Sequence, residues 1–280
     1  MSDPFAIAAL PLPWLLLMGS LITGFFAMTR SSIMLAMLSG GAALAFGAVT
    51  PTAVALSGGG LLAAWILRTQ KGAIAFAGHM VLIGWAMALA LHLVPGFTNA
   101  VGLDAVQSSP FAIPYSLHLN LDKPQIFLML LLAWPALLAR DCAVRWGPLL
   151  VSFLVLAGLF PLATGLGVIH PDLSWPHWAG LFLFANLVQT CLVEEAFFRG
   201  YLQKFLTDRI GPFGAIVSAS LLFGAAHLAG GPLIAGLATL LGAACGLGLW
   251  FSGRLWVAVL MHFAFNAVHL IFFTYPAPLG

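Results

Sequence analysis

Apolar runs about as long as a bilayer is thick follow one another along almost the whole chain. Hydrophobic residues make up 62% of the 280 residues and charged residues only 6%. A hydrocarbon core of ~30 Å requires a helix of ~20 mostly apolar residues, with all backbone polar groups satisfied internally. The chain is therefore predicted to be all-α, a polytopic membrane helical bundle rather than a soluble domain.

Short breaks of glycine, proline or charge divide these runs into about ten predicted transmembrane helices. Their predicted limits are 5–28, 33–49, 53–67, 73–94, 125–139, 148–169, 178–206, 212–229, 233–251 and 254–274. Cationic residues fall at alternate breaks, with Lys123 as the exception. The positive-inside rule then places both termini outside the cytoplasm. The richness in alanine, glycine and leucine favours a bacterial inner membrane as the location.

The charge balance and the cysteines exclude several classes of partner. The net charge is +2 and no basic cluster exists, so no nucleic-acid partner is expected. Cys142, Cys191 and Cys245 are scattered, with neither metal-binding nor disulfide spacing. The lipid bilayer is the one partner that composition demands, and the sequence leaves the oligomeric state open.

The longest loop, 95–124, contains a segment with alternating leucines. Residues 117–122 read Leu-His-Leu-Asn-Leu-Asp, a period of two that is typical of an extended segment. The favoured interpretation is an interfacial loop whose leucines dip into the lipid headgroups. The alternative is an exosite for an extended substrate.

Two carboxylates and a guanidinium lie in the apolar run that begins near Trp178. An ionisable side chain in a bilayer costs at least ~2.5–3.5 kcal/mol, so by default it marks a functional site. Glu195 and Arg199 are four residues apart, acid first, the favourable order for an ion pair on one helix face. Glu194 lies outside that pair, rotated by about 100° around the helix.

Three polar residues on later predicted helices complete a candidate site. His227 follows Phe223 by four residues, and His262 precedes Asn266 by four, so that His262 and Asn266 share a helix face. Together with Glu194 they occupy three of the last four helices, which are predicted to hold the catalytic core. Counted along the helices, His227 lies at a higher level than the other two unless its helix is tilted or starts deeper.

These four side chains are the components of a peptidase that uses water as its nucleophile. A carboxylate can take a proton from water, and a neutral histidine can hold that water beside it. A second histidine and an asparagine amide can donate hydrogen bonds to the oxyanion that forms on the carbonyl. A zinc ion held by Glu194, His227 and His262 is the alternative way to activate the water.

The ordered motifs resemble the CPBP family, which includes the CAAX prenyl endopeptidases and is also called the Abi family. The motifs are Glu194-Glu195-x-x-x-Arg199, Phe223-x-x-x-His227 and His262-x-x-x-Asn266. The similarity covers roughly residues 178–270, and Leu119–Lys123 is similar to a segment upstream of the core in some relatives. The resemblance implies a glutamic-type intramembrane endopeptidase without a cofactor, in which Glu194 activates water and His227 assists. It also implies that His262 and Asn266 form the oxyanion site and that Glu195 and Arg199 support it.

The predicted function is hydrolysis of a peptide bond in a membrane-anchored protein or peptide, for C-terminal processing or protein sorting. Residues 1–124 are predicted to be accessory helices with an outer loop, and residues 125–280 the protease core. A non-catalytic immunity or scaffold protein that retains the motifs is the alternative from another class. A transporter ranks last, because the sequence has no inverted repeat.

Overall fold

A computed structural model describes residues 11–139 and 142–279. Within those ranges the chain forms nine helices and two strands. The helices are α1 (Leu12–Phe25), α2 (Thr29–Ala45), α3 (Pro51–Leu67), α4 (Gly72–Ala90), α5 (Gln125–Ala133), α6 (Trp146–Gly165), α7 (Ala179–Ala226), α8 (Pro232–Ser252) and α9 (Leu255–Phe272). The strands β1 (Ala100–Val106) and β2 (Tyr115–Leu119) pair in a two-stranded sheet. The first residues of the predicted helix 5–28 lie outside the described residues, as does Arg140, one of the cations that set the predicted orientation.

Five of these helices are long and apolar enough to cross a membrane, namely α4, α6, α7, α8 and α9. The predicted class, a helical membrane protein, is confirmed. The predicted number of about ten transmembrane helices is not confirmed. Two of the ten, 178–206 and 212–229, lie in the 48-residue segment α7, which a kink at Gly211 divides into two helical parts. Other predicted helices are too short to cross a bilayer as single helices, since α1 and α3 have 14 and 17 residues and α5 has 9.

A kink divides α7 at the position where the sequence predicts a break between two helices. Gly211 has φ 74° and ψ 168°, a backbone conformation that favours glycine because it has no Cβ. Pro212 follows, and at the start of a helical segment its missing N–H leaves no hydrogen bond unmade. Gly211 therefore separates two helical parts of α7, and the second part ends at Ala226.

The chain divides into two compact units. The first contains the residues up to Asp104 together with Ser116–Pro135, and the second contains Ala105–Tyr115 together with the residues from Ala136 onward. The division at 124/125 between accessory and catalytic parts stays a prediction about function. The boundary between the compact units lies further along the chain than residue 124, because α5 belongs to the first unit.

In the first unit the carboxylate of Asp122 organises the long loop. It is 1% exposed, and its Oδ2 accepts a hydrogen bond from Nδ1 of His92 at 2.6 Å. Its Oδ1 accepts from Nδ2 of Asn99 at 3.1 Å and from the backbone N–H of Lys123 at 2.8 Å. The predicted alternation is present, but Leu117, Leu119 and Leu121 are buried within the protein. The expectation that they dip into the headgroups is therefore wrong.

In the second unit glycines allow α7 and α8 to approach closely. A methyl group at Gly224 would lie 2.6 Å from the carbonyl oxygen of Ala235 and would also meet the Thr239 side chain. Gly242 and Gly246 of α8 lie against buried polar side chains of α7, Arg199 and Gln203. Small residues let helix backbones approach in membranes, and here they also make room for polar groups.

Replacing Gly224 with alanine should destabilise the second unit. The added methyl group cannot avoid the Ala235 carbonyl, so we expect a loss of about 1–3 kcal/mol, measured as a lower Tm in detergent or nanodiscs. Gly158→Ala in α6 is the matched control, because nothing lies within 4 Å of its added methyl group. That control should be neutral or slightly stabilising, since alanine is the better helix former by ~1 kcal/mol. Equal Tm values for the two variants would contradict the close approach.

Candidate active site

The helix that carries the two carboxylates is not a regular α-helix. Asn186–Cys191 and Ala196–Gln203 are π-helical, and one α-helical turn, Leu192–Glu195, separates them. Hydrogen bonds in a π-helix join residues five apart, and such segments occur frequently at functional sites. α-Helical periodicity therefore does not predict which residues of this segment lie side by side.

Glu195 is the centre of a fully buried charge cluster. Its Oε1 accepts a hydrogen bond from Nη1 of Arg199 at 3.0 Å, which is the predicted ion pair. The same Oε1 accepts from Nδ1 of His262 at 2.8 Å. Glu195 and Arg199 are both 0% exposed and His262 is 3% exposed, so water cannot screen these charges. His262, predicted to face the substrate beside Glu194, is thus anchored by the second carboxylate.

Phe223 joins this cluster to His227. The Arg199 guanidinium lies over its ring, 4.3 Å from the centroid, a cation–π geometry. The edge of the His262 ring meets the same phenyl ring, with centroids 5.7 Å apart, and the His227 ring lies 4.6 Å away. Phe223 was noted only as the first position of a motif, but in the structure it contacts three of the polar side chains.

His227 lies at the end of α7 rather than inside a helix, because α7 stops at Ala226. Its Nδ1 donates a hydrogen bond to the Phe223 carbonyl oxygen at 2.8 Å. A carbonyl oxygen can only accept, so a neutral His227 ring carries its lone pair on Nε2. From Pro212 to Ala226 the helix measures about 22 Å, which is shorter than the ~30 Å hydrocarbon core. The level difference counted along the helices stays a prediction, but the rings of His227 and His262 both contact the Phe223 ring.

Asn266 belongs to a second, smaller polar cluster. Its Nδ2 donates to Oδ1 of Asn186 at 3.2 Å and lies 3.6 Å from Sγ of Cys191. The Cys191 thiol also donates to Asn186 Oδ1 at 3.2 Å, across the five-residue step of the π-helix. Asn186 and Cys191 therefore orient the Asn266 amide. The sequence predicted no role for Cys191, because a contact between residues five apart is not expected in an α-helix.

Glu194 lies in the α-helical turn between the two π segments and is half-buried, unlike its neighbour Glu195. The contacts above bring His262 to Glu195 and Asn266 to Asn186 and Cys191. The predicted convergence of Glu194 with His227, His262 and Asn266 around one water molecule stays a prediction.

The zinc alternative requires Glu194, His227 and His262 to surround one ion. Across residues 11–139 and 142–279, no group of three or more His, Cys, Asp or Glu side chains is arranged to hold a metal ion. The three candidate ligands do not fit a zinc site in this arrangement. No step of the mechanism below depends on a metal.

An aromatic cluster covers the end of the bundle where α7 begins and α9 ends. The Tyr115 ring packs against Trp178 and Phe182 of that end and against Tyr275, with centroids 5.3–6.2 Å apart. The Tyr275 ring also meets the His269 ring, whose Nε2 donates to the Thr274 carbonyl oxygen. Phe182 lies about one turn before Asn186, and His269 about one turn after Asn266. The cluster therefore lies about one turn from the Asn186–Asn266 contact.

Two extended segments, 105–115 and 273–279, carry this aromatic cluster. Ser108 Oγ donates to the Tyr275 carbonyl oxygen at 3.0 Å, and the Ile113 N–H donates to the Ala277 carbonyl oxygen at 3.0 Å. Burial raises the pKa of Tyr115 to about 12, and it raises the pKa of Tyr275 well above its ordinary value. Both phenols are therefore neutral at physiological pH.

A family model described as type II CAAX prenyl endopeptidase Rce1-like matches residues 176–268. Comparison with curated proteins and with solved structures found no match. The matched segment contains both polar clusters and all three motifs, so the predicted resemblance over residues 178–270 is confirmed. It indicates a CAAX-type protease, a peptide hydrolase, for this part of the chain.

Replacing Glu195 should destabilise the protein far more than replacing Glu194. Glu195→Gln leaves the buried Arg199 guanidinium without its counter-ion, which costs about 3–5 kcal/mol. Glu194→Gln changes a half-buried carboxylate, so its Tm should stay closer to that of the wild type. Thermal unfolding of the two variants in the same nanodiscs compares them directly. A smaller loss for Glu195→Gln than for Glu194→Gln would contradict the buried cluster.

Tyr115 and Tyr275 of the aromatic cluster should stay un-ionised up to strongly alkaline pH. The chain has three tyrosines, so a Tyr201→Phe variant leaves only Tyr115 and Tyr275. A raised pKa in the folded state contributes stability that is complete below the ordinary value of 10.0 and is lost as pH rises through about 12. Near-ultraviolet absorbance should therefore show tyrosinate only near the upper limit of that window. Ionisation near the ordinary value in the folded protein would show that the cluster is open to water.

Proposed function

We propose that the protein is an intramembrane endopeptidase that hydrolyses a peptide bond of a membrane-anchored protein or peptide, using a water molecule activated by Glu194. One observation carries this proposal: the segment that matches the CAAX endopeptidase model folds two polar clusters into the core of an apolar bundle. Ionisable groups inside an apolar bundle are costly, so by default they mark a functional site.

Glu194 and His227 are the pair assigned to water. Because His227 Nδ1 donates to the Phe223 carbonyl, its Nε2 lone pair can accept a hydrogen bond from water and hold it. Glu194 takes a proton from that water while the oxygen attacks the carbonyl carbon of the substrate. The same proton then passes from Glu194 to the leaving nitrogen as the carbon–nitrogen bond breaks, so the protease returns to its starting state.

Asn266 and His262 are assigned to the oxyanion that forms during the attack. One Asn266 N–H faces the sulfur of Cys191, which is a weak acceptor, so a developing oxyanion can replace it without disturbing the bond to Asn186. His262 Nδ1 already donates to Glu195, so its Nε2 can donate to the oxyanion only in the protonated ring. Glu195 is placed to stabilise that imidazolium, which gives the second carboxylate a role in the reaction.

The substrate is proposed to be held close to the membrane by its own anchor. The site lies among apolar helices, and the proposed reaction class is C-terminal processing or sorting of membrane-anchored proteins. The core is assigned to the last four predicted helices, and residues 1–124 to an accessory role. The proposed setting is a bacterial inner membrane with both termini outside the cytoplasm, and no cofactor is required.

Cleavage by a Glu194→Gln variant tests the proposal. Purified protein in liposomes should cleave at least one of two reporters, a prenylated CAAX peptide or a protein with a C-terminal helix and a basic tail. Loss of the general base should lower kcat by about 10²–10⁴-fold. Strong chelators should leave wild-type cleavage unchanged if water activation needs no metal.

A control variant separates loss of chemistry from loss of folding. Gly158→Ala, remote from the site in α6, should cleave like the wild type. Undiminished cleavage by Glu194→Gln would end the proposal. Full biological effect of a Glu194→Ala, His227→Ala double variant would favour a non-catalytic immunity or scaffold role instead.

A further inference from the structure

Gln203 is a buried polar residue that none of the three motifs contains. It is 2% exposed and, like Arg199, its side chain lies against a glycine of α8. Its Nε2 donates to the Gly246 carbonyl oxygen of α8 at 3.0 Å. Because a carbonyl oxygen can only accept, this bond fixes the orientation of the amide and directs Oε1 elsewhere.

The Arg199 guanidinium and the Gln203 amide each keep polar atoms without a direct partner. In the part of the chain that the structure describes, no group accepts from Nε or Nη2 of Arg199, and none donates to Oε1 of Gln203. Each such buried atom costs about 1–3 kcal/mol unless it is satisfied. The unsatisfied atoms are complementary, since Arg199 offers donors and Gln203 offers an acceptor.

Two glycines of α8 bring these atoms to neighbouring positions. A methyl group at Gly242 would lie 2.7 Å from Nη2 of Arg199, and one at Gly246 would lie 2.8 Å from Oε1 of Gln203. Residues four apart on a helix are separated by about 6 Å along its axis. At the tetrahedral angle of a water molecule, two hydrogen bonds of ~2.8–2.9 Å join atoms about 4.6 Å apart, which is of the same order as that separation.

We propose that Gln203 is a positioning residue that holds the Arg199 guanidinium through one buried water molecule. The water accepts from Arg199 and donates to Gln203 Oε1, and buried waters of this kind typically make about three hydrogen bonds to protein groups. The guanidinium is then fixed on both sides, by Glu195 through Nη1 and by Gln203 through the water. This link stands independently of the proposed function, but its effect on cleavage rests on that function.

The position of the Arg199 guanidinium affects His262, because both side chains bind Glu195. Glu195 Oε1 accepts from both Arg199 and His262, so a displaced guanidinium shifts the oxygen that orients the imidazole. Gln203 itself contacts neither the proposed water nucleophile nor the substrate. Its loss should therefore lower kcat through misplacement of His262 and leave KM unchanged.

Two substitutions at Gln203 separate positioning from packing. Gln203→Met keeps the length of the side chain but removes the acceptor, and Gln203→Glu keeps the acceptor but removes the donor to Gly246. We expect Gln203→Met to lower kcat between about tenfold and a hundredfold, the cost of a misplacement near 1 Å. Gln203→Glu should stay closer to the wild type.

A pair of glycine variants on α8 provides the matched control. Gly246→Ala should reproduce the kcat loss of Gln203→Met, because its methyl group displaces Gln203 Oε1. Gly236→Ala should leave kcat unchanged, since nothing lies within 4 Å of its methyl group. Wild-type kcat in Gln203→Met, or equal losses in the methionine and glutamate variants, would overturn the positioning role.

Thermal unfolding tests the link without any cleavage assay. Arg199→Lys keeps a positive charge for Glu195 but has no second arm toward Gln203. The Tm loss caused by Gln203→Met should shrink by more than half in the Arg199→Lys background, because the link is already broken there. Additive Tm losses would overturn the water-mediated link. If the wild type cleaves neither reporter, the proposed function fails. The comparison of Tm losses still shows whether a water molecule links Arg199 to Gln203.

Discussion

A buried carboxylate that must satisfy two cationic or polar partners organises the second unit. Glu195 cannot be left alone in an apolar bundle, and Arg199 one turn away supplies the opposite charge. His262 of α9 donates to the same oxygen, so the last helix is fastened to α7 by a polar contact. The aromatic ring of Phe223 then fills the space around the guanidinium and carries the contact on to His227.

The irregular backbone of α7 and the glycines of α8 make this arrangement possible. The π-helical segments change which residues of α7 face each other, so that Cys191 meets Asn186 and both hold Asn266. Gly242 and Gly246 remove side chains where a guanidinium and an amide must lie. Polar groups thus take the volume that apolar side chains fill in an ordinary membrane bundle.

The two carboxylates next to each other in the sequence receive different environments. Glu195 is fully buried and paired, whereas Glu194 is half-buried on a neighbouring face. That difference is consistent with one carboxylate that orients and one that exchanges protons with water. The aromatic cluster of Tyr115 and Tyr275 lies about one helical turn from the Asn186–Asn266 contact.

Composition and motif spacing alone determined that the chain is a helical membrane protein and that Glu195 pairs with Arg199, because apolar length and an i, i+4 step are local properties. The motifs also located the segment that matches the CAAX endopeptidase model. Only the tertiary structure decided that His262 binds Glu195, that Asn186 and Cys191 hold Asn266, and that residues 105–115 meet the C-terminal segment. Those contacts join residues that are distant in the chain, so no local sequence pattern predicts them. They also depend on the π-helical segments of α7 and on the room left by the glycines of α8, and α-helical spacing predicts neither.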